Sequence, residues 1–298
     1  MIKKICILLC CSLMVTVSHG QFSRDKKRKG ASAFNMKAKK NKDEFLQKQW
    51  WLGLKAGANW TKPSVVTPYS VITATNYDPS SLNKSYKSFN RTGTQAALEI
   101  TFYFKRFSLT LQPTYQHSRF IYSNTYMWAD TESTQNTLIL HYVQQQETDH
   151  AVIPLMARYD LTETKLRPYV QAGGYIAMII NANKSVTITG EDYASGGLNE
   201  LSSDPIIVGA KELFAKSYLG LAGGFGVNYH QGNIRINLDF LYQHGMSSAT
   251  SVKNRYSNDR LVGVGDVMDD LTLDNIVISL GCLFPLRFLE DSFKSMDK

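Results

Sequence analysis

The sequence predicts an all-β protein, an eight-stranded antiparallel up-and-down transmembrane β-barrel of the outer-membrane type with a flexible basic arm in front of it. Three observations carry this expectation. Apolar and polar residues alternate with period two in eight separate segments, and the connections between those segments are alternately long and short. Beyond the N-terminus no run approaches the roughly 20 apolar residues that a spanning helix needs.

The first segment begins at Trp50, where Leu52, Leu54, Ala56, Ala58 and Trp60 share one face and Gly53, Lys55, Gly57 and Asn59 the other. In the second, about 92 to 104, Ala96, Leu98, Ile100, Phe102 and Phe104 oppose Gln95, Glu99, Thr101 and Tyr103. The third, 107 to 118, sets Phe107, Leu109, Leu111 and Tyr115 against Ser108, Thr110, Gln112 and Gln116. The fourth and fifth, 149 to 160 and 166 to 179, put Arg158, Arg167 and Gln171 opposite Leu155, Tyr159, Val170 and Ile176. The sixth, 216 to 229, carries glycines at 220, 224 and 226 on its inner face; the seventh, 234 to 244, carries Arg235, Asn237, Asp239 and Gln243. The eighth, about 274 to 284, alternates Ile276, Ile278, Leu280, Cys282 and Phe284 with Asn275, Ser279 and Gly281.

Long connectors are expected at 61 to 91, 119 to 148, 180 to 215 and 245 to 273, with tight turns between them. Outer-membrane barrels place short turns in the periplasm and long loops outside, and an even strand number puts both termini in the periplasm. Trp50, Trp51, Phe104, Tyr159, Tyr229 and Phe284 would then form an aromatic girdle at the periplasmic membrane interface, with Trp60 toward the other rim.

Residues 1–20 have the order of a secretory signal peptide, Lys3 and Lys4 followed by an apolar run and the small residues Ser18 and Gly20. Three of the four cysteines lie in it, so Cys282 alone remains, which excludes a disulfide scaffold and a cysteine zinc site. Residues 21–49 are expected to be a disordered basic arm including Lys26, Lys27, Arg28, Lys29, Lys37, Lys39 and Lys40, with a net charge of +7. The remainder, 50 to 298, is close to neutral at −1. The net charge of +8 therefore does not report a nucleic-acid-binding domain; the arm is either a solvated leader or an electrostatic dock for an envelope partner.

The expected lumen holds Lys55, Arg158, Arg167 and Arg235 beside Glu99 and Asp239, read here as an ion-pair plug in preference to a charged constriction for anions. No serine stands in a nucleophile-elbow motif beside the five histidines of the mature chain, and no catalytic residue, metal or cofactor is assigned. The acidic connector Asp259, Asp266, Asp269, Asp270 and Asp274 matches no calcium-loop template and is expected to be a solvated surface loop. Tyr69, Tyr77, Tyr86, Tyr122, Tyr126 and Trp128 give the long loops the composition of adaptable binding surfaces.

The segments Leu52-Gly53-Leu54-Lys55-Ala56-Gly57-Ala58-Asn59, Val152-Ile153-Pro154-Leu155-Met156-Ala157-Arg158-Tyr159, Leu166-Arg167-Pro168-Tyr169-Val170-Gln171-Ala172-Gly173-Gly174 and Ser279-Leu280-Gly281-Cys282-Leu283-Phe284 resemble the PorT-like outer-membrane β-barrel family of Bacteroidota. The resemblance covers about 50–284 and implies an outer-membrane location, no cofactor and, for the namesake branch, a part in type IX protein secretion. The basic arm and the C-terminal extension 285–298, expected to be periplasmic, depart from that pattern. The resulting expectation is a non-enzymatic structural or assembly component in outer-membrane lipid, with envelope or secretion-machinery proteins as partners. The alternatives are a narrow plugged or anion-preferring channel and a surface adhesin or receptor that uses its long loops.

Overall fold

The computed structural model describes residues 48–70, 84–130, 135–194 and 197–286. The signal peptide, the arm up to residue 47 and the extension beyond 286 lie outside the described residues. So do Tyr77 and all seven arm cations named above.

Eight staves close into a ring. They are β1 (Lys48–Thr67), β3 (Thr92–Phe104), the pair β4 (Phe107–Leu111) and β5 (Thr114–Ala129), β6 (Thr137–Asp160), β7 (Leu166–Asp192), β10 (Ser217–Gln231), β11 (Ile234–Gly245) and β12 (Asp270–Pro285). Each stave pairs antiparallel with the next, and β12 returns to pair with β1 from Trp51↔Pro285 to Thr67↔Asp270. Closure removes the free edges that an open sheet would expose. β4 and β5 form one stave broken at Gln112-Pro113, because proline has no N–H to give the ladder. The break stays tied to its neighbours, since Leu98 N donates to Pro113 O and Gln112 N to Pro154 O.

The facings follow the alternation. Leu54, Leu98, Phe102, Leu109, Leu155, Val170, Leu221, Phe225, Leu238 and Leu280 are exposed on the outside, whereas Lys55, Glu99, Thr101, Thr110, Arg158, Asn237, Asp239 and Ser279 are buried inside. The outward apolar run on β6 goes from Tyr159 to Ala151, eight residue steps. At a tilt near 40° that is roughly 20 Å of height, close to the apolar band of an outer-membrane barrel. Two of the large inward rings are accommodated opposite residues without a side chain. Tyr169 faces Gly226 and Tyr175 faces Gly220 across the β7–β10 ladder, and each ring fills the space that a Cβ on its glycine would occupy.

Two of the long connectors are not loops. β5, β6 and β7 run far past the apolar band, and the β6–β7 ladder continues to Leu138↔Asp192. Most of residues 119 to 148 and the first part of 180 to 215 are therefore strand, which corrects the sequence expectation. The change of environment falls at a bulge, where Asp149 pairs with Asn181 and His150 with Ile179, leaving Ile180 as the extra residue on β7. Beyond it the outward residues become polar, beginning with His117, Arg119, Glu147 and Asn183. The short strands β2 (Ser85–Tyr86), β8 (Asn199–Ser202) and β9 (Ile206–Gly209) pair with β5 and β7 along this projecting sheet.

The connection from β11 to β12 folds back against the inner face of the projecting sheet. It carries a short helix, α1 (Asp259–Gly263), capped by the Asn258 side chain, which accepts from Leu261 N. Leu261, Met268 and Leu271 pack with Phe120, Tyr122, Tyr142, Val186 and Phe214 in one apolar cluster.

Candidate functional site

The centre of the lumen is an ion network built from opposing staves. Lys55 on β1 contacts Glu99 on β3 at 2.5 Å and also Asp239 on β11. Arg158 on β6 places Nη1 2.5 Å from Glu99 and Nη2 3.7 Å from Asp239. Two cations meet two anions, so the cluster is neutral, and the rest of its hydrogen-bonding capacity is taken up locally. Arg158 Nε donates to Gln171 at 2.8 Å, Asn237 donates to Glu99 at 3.2 Å, Thr101 donates to Glu99 at 2.8 Å and Tyr169 donates to Asp239. With its amide oxygen turned to the cations, Gln112 accepts from Lys55 at 3.1 Å and from Arg158. All four charged side chains are at most 4% exposed, a burial tolerable only because each is paired and hydrogen-bonded. The void beside the network, between Gln95, Gln112, Pro154 and Gln243, measures about 10 Å³. That is room for at most a single water, so the barrel is packed shut here.

The other two residues predicted for this network sit elsewhere. Arg167 lies at the short-turn end, half-exposed, donating to Tyr103 Oη at 2.8 Å and to Thr164 O at 2.9 Å, with Asp160 at 3.9 Å. Its place at the start of β7 puts it near the rim, below the level of Glu99. Arg235 is buried at the same end, its guanidinium 4.2 Å from the Trp51 ring and 4.7 Å from the Tyr103 ring.

Trp51 is the clear correction among the aromatics. It is 1% exposed and turned into the barrel, because it shares the inner face of β1 with Gly53 and Lys55. Trp50, Trp60, Phe104, Tyr159, Tyr229 and Phe284 are on the outward face.

The long-hairpin end carries a second set of ion pairs that the sequence did not suggest. Four of the five aspartates expected in a solvated loop are buried: Asp266, Asp269, Asp270 and Asp274. Asp269 accepts from Lys84 Nζ at 2.7 Å, from Tyr86 Oη at 2.8 Å and from Tyr69 N at 2.8 Å. Asp266 pairs with Lys184 on β7, Asp270 with Arg255, and Asp274 with His244 Nδ1 at 2.8 Å. Burial holds the Lys184 ammonium below its ordinary pKa and, with Asp269, holds the Tyr86 phenol above its own. Tyr122 is buried in the cap and the partly buried Tyr86 stacks on it at 4.7 Å, so these tyrosines pack into the cap and do not form an adaptable loop surface. Trp128 and Met127 remain exposed near the hairpin tip.

The histidines form local polar contacts. His117 Nδ1 lies 2.7 Å from Asp149, and His117 Nε2 accepts from Arg119 at 3.0 Å. His141 Nδ1 lies 2.9 Å from Thr125 Oγ1 and His244 Nδ1 2.8 Å from Asp274, and among the described residues no group of three His, Cys, Asp or Glu side chains has the arrangement to hold a metal ion.

Comparison with curated proteins gives no match. Several solved structures resemble the chain at low identity. Neisserial surface protein A is 14% identical, with 78% of this chain and 96% of that chain covered and a TM-score of 0.29. Ail, the attachment invasion locus protein of Yersinia pestis, is 11% identical over 79% and 99%, with a TM-score of 0.31. The outer membrane protein AlkL is 12% identical over 89% and 96%, with a TM-score of 0.30. The family model described as outer membrane protein beta-barrel domain matches residues 32–251, most of the chain. The closed antiparallel ring agrees with that description, and the chain belongs to this family of bacterial outer-membrane β-barrels.

Proposed function

We propose that this protein is a non-enzymatic, non-conducting barrel that serves as a structural or assembly component of the outer membrane. Its short turns and both barrel termini face the periplasm, and the projecting hairpins face outward. The observation that carries the reading is the neutral Lys55, Glu99, Arg158 and Asp239 network, which fills the lumen and leaves about 10 Å³ beside it. An anion-preferring channel would need an unpaired cation along an open path at this level. The outward aromatics Trp50, Phe104, Tyr159, Tyr229 and Phe284 would anchor the barrel at one membrane interface and Trp60 would lie toward the other. The finer assignment, a PorT-like component linked to type IX secretion, rests on the four strand motifs. The basic arm, Lys26 to Lys40, would dock an envelope or secretion-machinery protein.

Two measurements test this. In planar bilayers the full chain should show no reproducible conductance; a stable, anion-selective conductance would overturn the plugged reading. Affinity purification from native membranes should recover secretion-machinery components, and deletion of residues 22 to 48 should abolish that recovery while the barrel stays folded. Unchanged recovery would remove the docking role of the arm.

A second reading, a surface adhesin or receptor, is favoured by one observation: β5, β6 and β7 project well beyond the apolar band and expose Met127, Trp128 and Val143. Trimming residues 119 to 147 to a short turn should abolish cell or glycan binding if that reading holds.

A further inference from the structure

Below the ion network, at the short-turn end, the lumen opens into a cavity of about 160 Å³ lined by Trp51, Glu163, Lys165, Arg167, His230 and Arg235. By the same measure one water needs only about 10–15 Å³, so this space accepts a group of several heavy atoms. Its chemistry is one-sided. Three lining residues are cationic against one lining carboxylate, Glu163, and Asp160 acts on Arg235 and Arg167 from nearby without reaching pairing distance of Arg235. Glu163 accepts from Arg106 at 2.7 Å, and Asp160 accepts from Tyr103 at 2.6 Å, with Arg167 at 3.9 Å.

Arg235 is the exceptional group. It is 3% exposed, yet among the described residues it has no carboxylate within ion-pairing distance, and its Nε has no hydrogen-bond partner. Trp51 Nε1, on a side chain 1% exposed, and both ring nitrogens of His230 are likewise without partners. A buried guanidinium with unmade hydrogen bonds beside an indole N–H in the same condition is costly to maintain. The Trp51 and Tyr103 rings lie against the guanidinium at 4.2 and 4.7 Å, so its N–H edge is left as the part that can serve a ligand.

We propose that the short-turn mouth is an oxyanion-binding pocket for a carboxylate or phosphate group, held by the N–H edge of Arg235, Trp51 Nε1 and one N–H of His230, with Lys165 and Arg167 at its rim. The pocket is a dead end, because the Lys55–Glu99 network closes the lumen above it. It therefore binds and does not conduct, and it stands whether or not the assembly role holds. The oxyanion comes either as a free periplasmic anion or as an acidic side chain of a protein segment inserted from the periplasm.

The test uses the full chain in detergent micelles with Trp50→Phe, Trp60→Phe and Trp128→Phe, so that Trp51 is the remaining tryptophan. Its fluorescence is followed during titration with inorganic phosphate or with a tetraglutamate peptide, at constant ionic strength and against a chloride control. A saturable change is expected with at least one probe and not with chloride, weakened at least tenfold by Arg235→Met in protein that still shows the gel shift of a folded barrel. Saturation by phosphate alone assigns a free oxyanion; tighter binding of the peptide assigns a protein-borne carboxylate. Absence of saturation with both probes overturns the proposal, as does equal binding by Arg235→Met. Should Arg235→Met fail to fold, Arg235→Lys keeps the charge and loses the fork, and equal binding by that variant overturns the proposal too.

Discussion

Gly226 on β10 stands directly opposite both Tyr169 on β7 and Asp239 on β11, and the Tyr169 phenol lies where a Cβ on Gly226 would be, reaching over the glycine along the barrel wall to Asp239. The glycine thus makes room for the ring that completes the hydrogen bonding of the central carboxylate. Gly226→Ala should push the phenol away from Asp239 and cost about 1–3 kcal/mol, the range for overpacking. Urea titration of the refolded barrel, read by its gel shift, would measure this. A midpoint equal to that of the parent would show that the ring has somewhere else to go.

Glu99 is the anion that both Lys55 and Arg158 touch. Glu99→Gln should destabilise the barrel by about 3–5 kcal/mol, because it leaves two buried cations facing Asp239 alone. Adding Lys55→Met should recover part of the loss by restoring neutrality. If the double variant is no more stable than Glu99→Gln, the charge balance is not what holds this layer together.

The apolar band predicts where arginine is tolerated. Leu238→Arg, outward and near the middle of the band, should cost about 2–4 kcal/mol. Val143→Arg, equally outward but on the projecting part of β6, should fall within about 0.5 kcal/mol of the parent, as for most surface substitutions. Equal penalties at the two sites would contradict a membrane boundary near the Ile180 bulge.

The cap over the hairpin end should loosen separately from the barrel. Asp269→Asn removes the charge that pairs with Lys84 and leaves one acceptor oxygen where there were two, so either the Tyr86 phenol or the Tyr69 N–H loses its partner. Protease should then cut between residues 246 and 270 several times faster, while the gel shift of the folded barrel is kept. Cleavage at the parent rate would mean that the apolar cluster alone holds the connection down.

Alkaline pH should act on the same cap. The Tyr86 and Tyr122 phenols are held above the ordinary value by burial and nearby aspartates, so the folded form keeps its protons where an unfolded tyrosine, near pKa 10, loses them. Their contribution is complete below about pH 10 and is lost as pH rises toward the folded values. Lys184, held low, acts in the opposite sense, its burial cost easing as pH rises toward the ordinary lysine value. With two phenols against one ammonium, the cap should open above about pH 10, seen as a step in tyrosinate absorbance together with faster proteolysis of 246 to 270. A smooth titration without that step would remove these phenols from the buried set.

The facings of all eight staves were legible because lipid on one side and packed polar groups on the other separate alternate residues sharply. The same alternation already placed Trp51 with Gly53 and Lys55, on the inner face, and it was the expectation of an aromatic girdle that misassigned it. Past the bulge the signal fades. Gln144 and Gln146 point inward while Gln145 and Glu147 point outward, so both faces are polar and a continuing ladder reads as loop. The buried aspartates were hidden for a different reason. Asp266 and Asp269 look solvated by their neighbours in sequence, and their partners Lys184 and Lys84 are contributed by distant segments. The pocket around Arg235 was partly visible as a lumen cation, but the want of a carboxylate within pairing distance shows only in three dimensions.

The joint between β1 and β12 has a consequence for biogenesis. Thr61 donates to Asn275 across that joint, and the two are 214 positions apart in the chain. Contacts between such remote residues cannot form until nearly the whole polypeptide is present, and they come at the largest cost in chain entropy. Ring closure is therefore a late step of assembly. Until it happens, both outer strands have unpaired backbone groups in contact with lipid or with whatever factor inserts the chain, so a truncation within β12 should leave an unsealed sheet prone to degradation.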